Sequence, residues 1–70
     1  MAKPTRVTNR IAELRQDVGL SQAALASQIG LTRQTVNAIE RGKYSPSLEA
    51  AFRIARVLNQ PLEQVFDYPR

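Results

Sequence analysis

The chain has 70 residues, which is long enough for one small domain, and its formal net charge is +4. It contains no cysteine and no histidine, which excludes a disulfide framework, nearly excludes a zinc site and removes the commonest general base. No apolar run approaches the roughly 20 residues that span a bilayer, and no signal peptide is visible, so we expect a cytoplasmic protein without a membrane partner.

The first eight residues, 1–8, are predicted to form an N-terminal arm. Lys3 and Arg6 are basic enough to touch phosphates, but we favour a loose tail, as is usual for a chain terminus. Residues 5–8, Thr-Arg-Val-Thr, have some β character, which is compatible with a short edge strand that pairs across a dimer.

A first helix is predicted to begin at a cap residue, Thr8 or Asn9, and to run to about Asp17. Gly19 follows it and is expected to end it. The spacing i, i+3, i+7 predicts a buried stripe that consists of Ile11, Leu14 and Val18.

Residues 21–41 are predicted to form two short helices joined by a tight turn. Ser21 can cap the first of them and Thr32 the second, because each hydroxyl can accept an orphan backbone N–H. Gly30 and Gly42 follow the two helices, where a residue without a Cβ suits the left-handed turn. The three-residue turn sets the helices at a steep angle, as in a helix-turn-helix. The inward-facing residues are expected to be Leu25, Ile29, Val36 and Ile39.

The last third of the chain is predicted to add two helices. Ser47 caps a fourth helix over about residues 48–58, and Pro61 starts a fifth that extends to about Phe66. Residues 67–70 are expected to form a tail. The apolar side of the fourth helix is expected to consist of Leu48, Ala51, Phe52, Ala55 and Leu58, with Ile54 beside it. The fifth helix is expected to cover the core with Leu62, Val65 and Phe66.

The chain resembles the helix-turn-helix of the phage repressor/Cro type, often called the XRE family, at Gln22, Ala26, Gly30, Val36 and Ile39. The flanks resemble that family too, with GLSQ at 19–22, IERGKYSPSLE at 39–49 and IARVLNQPLEQVF at 54–66. The resemblance covers about residues 9–66 and implies an all-α, compact five-helix domain. It also implies a nucleoid-associated transcriptional repressor that binds a palindromic operator in double-stranded DNA as a homodimer.

The second motif helix is the expected recognition helix, since its N-terminal end enters the major groove in this fold. Arg33 can make a bidentate contact with guanine, and Gln34 or Asn37 can pair with adenine. Thr35 can contact a phosphate or a thymine methyl group. Ala38 stands where many relatives carry a polar base reader, and it offers only a methyl contact. A solvated helix face is the alternative, but two amides and a guanidinium without an acid favour the groove.

Contacts with the DNA backbone are expected on both sides of that helix. Ser21, Gln22 and Thr32 stand at helix starts, where the helix dipole favours a phosphate. On the far side, the expected contacts are Arg41, Lys43 and Tyr44, with Ser45 beside them. Each lysine or arginine contact releases counterions, so binding is expected to weaken steeply with salt.

The resemblance implies an ion pair between Arg15 and Glu40 that joins the first helix to the recognition helix. It also implies that Gln22 braces a side chain on the recognition helix. We interpret the ion pair as architectural and not as a catalytic dyad. No histidine can activate a serine, and neither GxxxxGK[ST] nor GxGxxG occurs, so we expect no enzyme.

The expected partners are double-stranded DNA and a second copy of the chain, with no cofactor and no small-molecule ligand. The proposed dimer surface consists of Val65, Phe66, Tyr68 and residues 5–8, although the same apolar residues can simply complete the core. Two alternatives reuse this fold: a protein-interaction module that lost operator binding, and an antitoxin that also binds a toxin. The recognition face argues against the first, and the short stretch after Phe66 argues against the second.

Overall fold

Five helices and two very short strands make up the computed structural model, which describes residues 5–70. Lys3 of the predicted arm therefore lies outside the described residues. In chain order the elements are β1 (Thr8–Asn9), α1 (Ile11–Asp17), α2 (Gln22–Ile29), α3 (Arg33–Glu40), α4 (Leu48–Leu58), α5 (Leu62–Val65) and β2 (Phe66–Asp67). The predicted five-helix, essentially all-α fold is thus confirmed, with a small two-stranded sheet added.

Local capping sets the bounds of three helices. Ser21, Thr32 and Ser47 each accept a hydrogen bond from the backbone N–H three residues further on, at 3.0–3.1 Å. Gly30 (φ 74°) ends α2 and Asn59 (φ 58°) ends α4, both in the left-handed conformation that these residues tolerate best. The starts of α2, α3 and α4 therefore lie where the sequence predicts them.

The start of α1 differs from the prediction. Arg10, and not Thr8 or Asn9, is the N-cap residue, and its side chain makes no capping hydrogen bond. Asn9 still serves the helix start, because its Oδ1 accepts the Ile11 N–H at 3.1 Å. The helix begins late because residues 8–9 are extended in β1.

The two strands pair antiparallel within one chain, with Thr8 opposite Asp67 and Asn9 opposite Phe66. This corrects the expectation of a strand over residues 5–8 that pairs across a dimer. It also places Asp67, expected in the tail, in a strand. A local sequence pattern indicates β character but carries no information about partners that lie 57 and 59 residues away, as Phe66 does from Asn9 and Asp67 from Thr8.

The core lies where all five helices meet, and its cluster is aliphatic. Its members are Ile11 and Leu14 of α1, Leu25, Ala26 and Ile29 of α2, Val36 and Ile39 of α3, Ile54, Ala55 and Leu58 of α4, and Val65 of α5. Fully burying one such larger side chain contributes about 1.5–3 kcal/mol. Leu62 and Phe66 pack against this cluster as predicted, but α5 ends at Val65 and Phe66 lies in β2.

Three residues predicted to be apolar core lie at the surface: Val18 is 47% exposed, Leu48 69% and Phe52 49%. Val18 is the C-cap residue of α1, so the helical spacing no longer directs it inward. On α4, Leu48 and Phe52 stand four apart and share a face, which flanks the buried stripe centred on Ile54. Within residues 5–70, no helix is both long and apolar enough to cross a membrane.

Candidate nucleic-acid interface

The outward face of α3 carries the predicted base readers. Val36 and Ile39 are 1% and 2% exposed, which fixes the rotation of α3 about its axis. As a result Arg33 and Gln34 are exposed and Asn37 is half-buried. Thr35 and Ala38, the other two predicted readers, are also half-buried. The structure therefore brings all five residues together on one short helix, with the polar ones accessible.

Two threonine hydroxyls close the first turn of α3. Thr32 Oγ1 accepts the Thr35 N–H at 3.1 Å, and the two side-chain oxygens lie 2.9 Å apart. One hydroxyl donates to the other, so one hydroxyl proton of the pair is left over in either arrangement. That proton and the positive end of the helix are available to a phosphate oxygen.

A buried polar network joins α3 to the rest of the domain through Glu40. Arg15 Nε donates to Glu40 Oε2 at 2.9 Å, and Arg15 Nη2 donates to Oε1 at 3.3 Å. Gln22 Nε2 donates to the same Oε1 at 3.0 Å, and Arg15 Nη1 donates to the Leu20 carbonyl at 3.0 Å. The side chains of Arg15 and Glu40 are only 12% and 7% exposed. Three helices therefore meet at one carboxylate, in the last residue of α3.

Gln22 lies at the start of α2, and only part of its side-chain amide is engaged in a hydrogen bond. Its amide nitrogen is engaged with Glu40, while its carbonyl oxygen and second N–H remain for other partners. Ser21 is exposed, and its hydroxyl accepts the Ala24 N–H at 3.0 Å. The first turn of α2 therefore presents backbone N–H groups and a partly committed amide beside α3.

The loop that follows α3 carries the far-side residues. Arg41, Lys43 and Ser45 are exposed, whereas Tyr44 is half-buried and packs against the core. Ser45 Oγ lies 2.6 Å from Thr5 Oγ1, so the loop is tied to the N-terminal segment. Tyr44 can thus offer DNA only the exposed part of its side chain.

The charge of this surface is positive. Glu40 is the only acid in residues 27–46, and its carboxylate is paired with Arg15. Among residues 5–70 the three ion pairs are Arg10–Glu13, Arg15–Glu40 and Arg53–Glu49. The cations that border α3 make none of these pairs; they are Arg33, Arg41 and Lys43. Within the same range, no group of three or more acidic side chains could hold a metal ion.

Two basic residues near the N-terminus are engaged elsewhere. The Arg6 guanidinium lies 5.7 Å from the centre of the Tyr68 ring, a cation–π distance. The hydrogen bond and the charge of Glu13 raise the pKa of Arg10. Both arginines are exposed.

One residue that touches α3 is not among those predicted from the sequence. Asn9 Nδ2 donates to the Ile39 carbonyl at 2.9 Å, across 30 residues of chain. An asparagine before a helix indicates capping, and nothing in the local pattern indicates a long-range partner.

Comparison with known proteins agrees with this geometry. A family model described as helix-turn-helix (HTH) matches residues 11–65. The chain is 51% identical over 57 residues to an uncharacterized HTH-type transcriptional regulator of Methanothermobacter thermautotrophicus, which covers 80% of this chain and 83% of that protein. It is 47% identical over 58 residues to the uncharacterized HTH-type transcriptional regulator YgzD of Bacillus subtilis, which covers 83% and 88%.

A solved structure supports the same assignment. The restriction-modification controller protein C.AhdI from Aeromonas hydrophila is 37% identical, and the two structures superpose with a TM-score of 0.71. The superposition covers 77% of this chain and 78% of that protein. The resemblance drawn from the sequence is confirmed: the chain belongs to the XRE-type helix-turn-helix family of DNA-binding transcription regulators.

Proposed function

We propose that this regulator recognises a palindromic operator in double-stranded DNA as a homodimer and represses transcription by excluding polymerase from the site. The observation that carries the proposal is the outward face of α3. It presents Arg33, Gln34 and Asn37 on a helix whose rotation is fixed by the core and whose end is held by Glu40.

The base-reading roles follow from side-chain chemistry. Arg33 pairs with guanine O6 and N7, and Gln34 or Asn37 pairs with adenine N6 and N7. Ala38 offers its methyl group to a thymine methyl, and Thr35 adds a thymine or phosphate contact. One good bidentate pair discriminates against a wrong base by about 1–3 kcal/mol.

The backbone contacts are proposed on both sides of the major groove. Ser21, Gln22 and Thr32 serve one strand from the starts of α2 and α3, where backbone N–H groups are free. The loop after α3 serves the other strand through Arg41, Lys43 and Tyr44. These contacts fix the register of the protein on the duplex and carry no sequence information themselves.

A homodimer is supported by apolar side chains at the surface. Leu48 is 69% exposed and lines a shallow groove with Val7 and Phe66, and Tyr68 is 64% exposed. Val65, included in the dimer surface predicted from the sequence, is 1% exposed and belongs to the core. We propose that this groove and Tyr68 meet a second copy, which sets the recognition helices about one DNA turn, roughly 34 Å, apart.

We propose that this regulator acts in the cytoplasm and without a cofactor. We propose that its activity is controlled through the abundance of the protein. The similarity to C.AhdI, a restriction-modification controller protein, supports a regulatory role for this chain.

Selection from a randomised duplex library at two salt concentrations tests the proposal. The wild type is expected to enrich a palindrome, and Arg33→Ala and Gln34→Ala are each expected to relax one base per half-site. Arg56→Ala removes the same charge from an exposed position on α4 and serves as the matched control. It is expected to leave the enriched sequence unchanged.

The other outcomes discriminate between parts of the proposal. Salt-sensitive binding without an enriched sequence contradicts base reading and leaves only a backbone grip. Failure to bind at either salt concentration contradicts operator binding altogether. Sedimentation that shows a monomer at high protein concentration removes the homodimer.

A further inference from the structure

Asn9 joins two helices through opposite atoms of one side-chain amide. Its Oδ1 accepts the Ile11 N–H at 3.1 Å, at the start of α1. Its Nδ2 donates to the Ile39 carbonyl at 2.9 Å, in the last turn of α3. The side chain is half-buried, so water competes poorly for these two bonds.

The acceptor on α3 has room for this bond. The last carbonyls of a helix lack partners within the helix, and a carbonyl oxygen accepts two hydrogen bonds. The Ile39 carbonyl already accepts the Gly42 N–H at 3.0 Å, and Asn9 supplies the second donor. The Ile39 carbonyl therefore has both of its acceptor positions filled, one of them by a residue from outside the motif.

Asn9 is itself held in place by backbone pairing. It lies in β1 opposite Phe66, and the next N–H, that of Arg10, donates to the Val65 carbonyl at 2.9 Å. The last turn of α3 thus has two anchors on consecutive residues. The Ile39 carbonyl is bonded to β1, and the Glu40 side chain is bonded to α1 and α2.

We infer that Asn9 is a positioning residue for DNA recognition, which sets the tilt of α3 against the β1–β2 pair. This inference rests on the proposed function, since it concerns how the base-reading face is aimed. An eight-residue helix is about 12 Å long, so a tilt of about 10° displaces its reading end by about 2 Å. Binding sites require placement within about 0.5 Å, so such a tilt weakens base contacts without unfolding the helix.

Two substitutions at this position separate capping from positioning. Asn9→Asp keeps an oxygen for the Ile11 N–H and replaces the donor with a second oxygen, which repels the Ile39 carbonyl. The carboxylate is also favourable near the start of α1, so the fold is expected to persist. Asn9→Ala removes both bonds, and Gln16→Ala, at an exposed position on α1, is the control.

The experiment measures the affinity of the full chain for the library-selected duplex and for a scrambled duplex, well below the melting temperature. Asn9→Asp is expected to lower the ratio of the two affinities about three- to tenfold, the range in which one net hydrogen bond contributes. Its affinity for the scrambled duplex is expected to stay close to that of the wild type. Gln16→Ala is expected to change neither value.

Amide chemical shifts of the DNA-free protein provide the second readout. Asn9→Asp is expected to shift the amides along the whole of α3, because the helix moves as a unit. Shifts confined to the start of α1, or an unchanged affinity ratio in a variant with a lowered melting temperature, overturn the inference. If the wild type itself shows no preference between the duplexes, the proposed function fails, and the α3 shifts alone decide whether Asn9 positions the helix.

Discussion

The Glu40 carboxylate receives hydrogen bonds from Arg15 and Gln22, so side chains of three helices meet at two oxygen atoms. Both members of the ion pair are almost fully removed from water. At such burial the desolvation penalty offsets much of the mutual attraction. We therefore attribute to the pair the orientation of α3, and not a large net gain in stability.

Loss of one partner destabilises the fold, because the other charge is then left without a partner. Glu40→Ala leaves the Arg15 guanidinium buried without its carboxylate, and we expect the free energy of unfolding to fall by about 3–5 kcal/mol. Urea titration followed by circular dichroism measures this change. In a domain of this size it is large enough to populate the unfolded chain.

The exposed pair Arg53–Glu49 offers a matched control on α4. Its side chains are 57% and 81% exposed, and Glu49→Ala is expected to cost less than about 1 kcal/mol. Replacing both Arg15 and Glu40 with apolar residues is expected to cost less than Glu40→Ala alone, since no charge is stranded. Equal costs for Glu40→Ala and Glu49→Ala would contradict the buried role of Glu40.

For single helices, the sequence correctly predicts features that neighbouring residues determine, namely where α2, α3 and α4 begin and which face of α3 is buried. Ser21, Thr32 and Ser47 cap their helices, and the periodic Val36 and Ile39 fix which face of α3 looks outward. The strands and the long-range bond of Asn9 are set by pairing across tens of residues, so they escape local patterns. The apolar pattern of α4 is too broad to rank its faces, so it predicts core positions for Leu48 and Phe52, which are exposed.

Gly30 provides a test of how strictly the turn between α2 and α3 is defined. Its φ of 74° is left-handed, and a Cβ there would meet only Arg53 Nη1, at 3.9 Å. Space is therefore available, and the cost of Gly30→Ala is conformational, about 1–2 kcal/mol. Gly30→Asn is expected to cost less, as Asn59 already holds φ 58° at the end of α4. Thermal unfolding of both variants measures the difference, and an alanine variant as stable as the asparagine variant would refute this explanation.

Across the whole molecule, the groups that hold α3 in place lie on the opposite side of this helix from the proposed base-reading residues. The core and the Glu40 network hold α3 from behind, while cations without ion-pair partners in residues 5–70 border it in front. The β1–β2 pair connects the C-terminal segment to the last turn of α3 through Asn9. A second copy that docks near Phe66 and Tyr68 would therefore act close to the anchor of the recognition helix.

The salt dependence of DNA binding measures the backbone contacts and the stoichiometry together. The logarithm of the affinity falls with the logarithm of the salt concentration, with a slope of about −0.9 for each phosphate neutralised. Lys43 is exposed in the loop after α3. On the proposed function, Lys43→Ala removes one such contact from each protomer. For a homodimer the slope is therefore expected to become less steep by about 1.8, twice the value for one contact.

Arg56→Ala supplies the control, because it removes one positive charge from an exposed position on α4. Its slope is expected to match that of the wild type, since a charge away from the duplex releases no condensed counterions. If Lys43→Ala changes the slope by only about 0.9, one protomer binds per site. That result contradicts the homodimer but supports the contact between Lys43 and a phosphate. An unchanged slope for Lys43→Ala removes this lysine from the interface, because the loss of a true phosphate contact must alter counterion release.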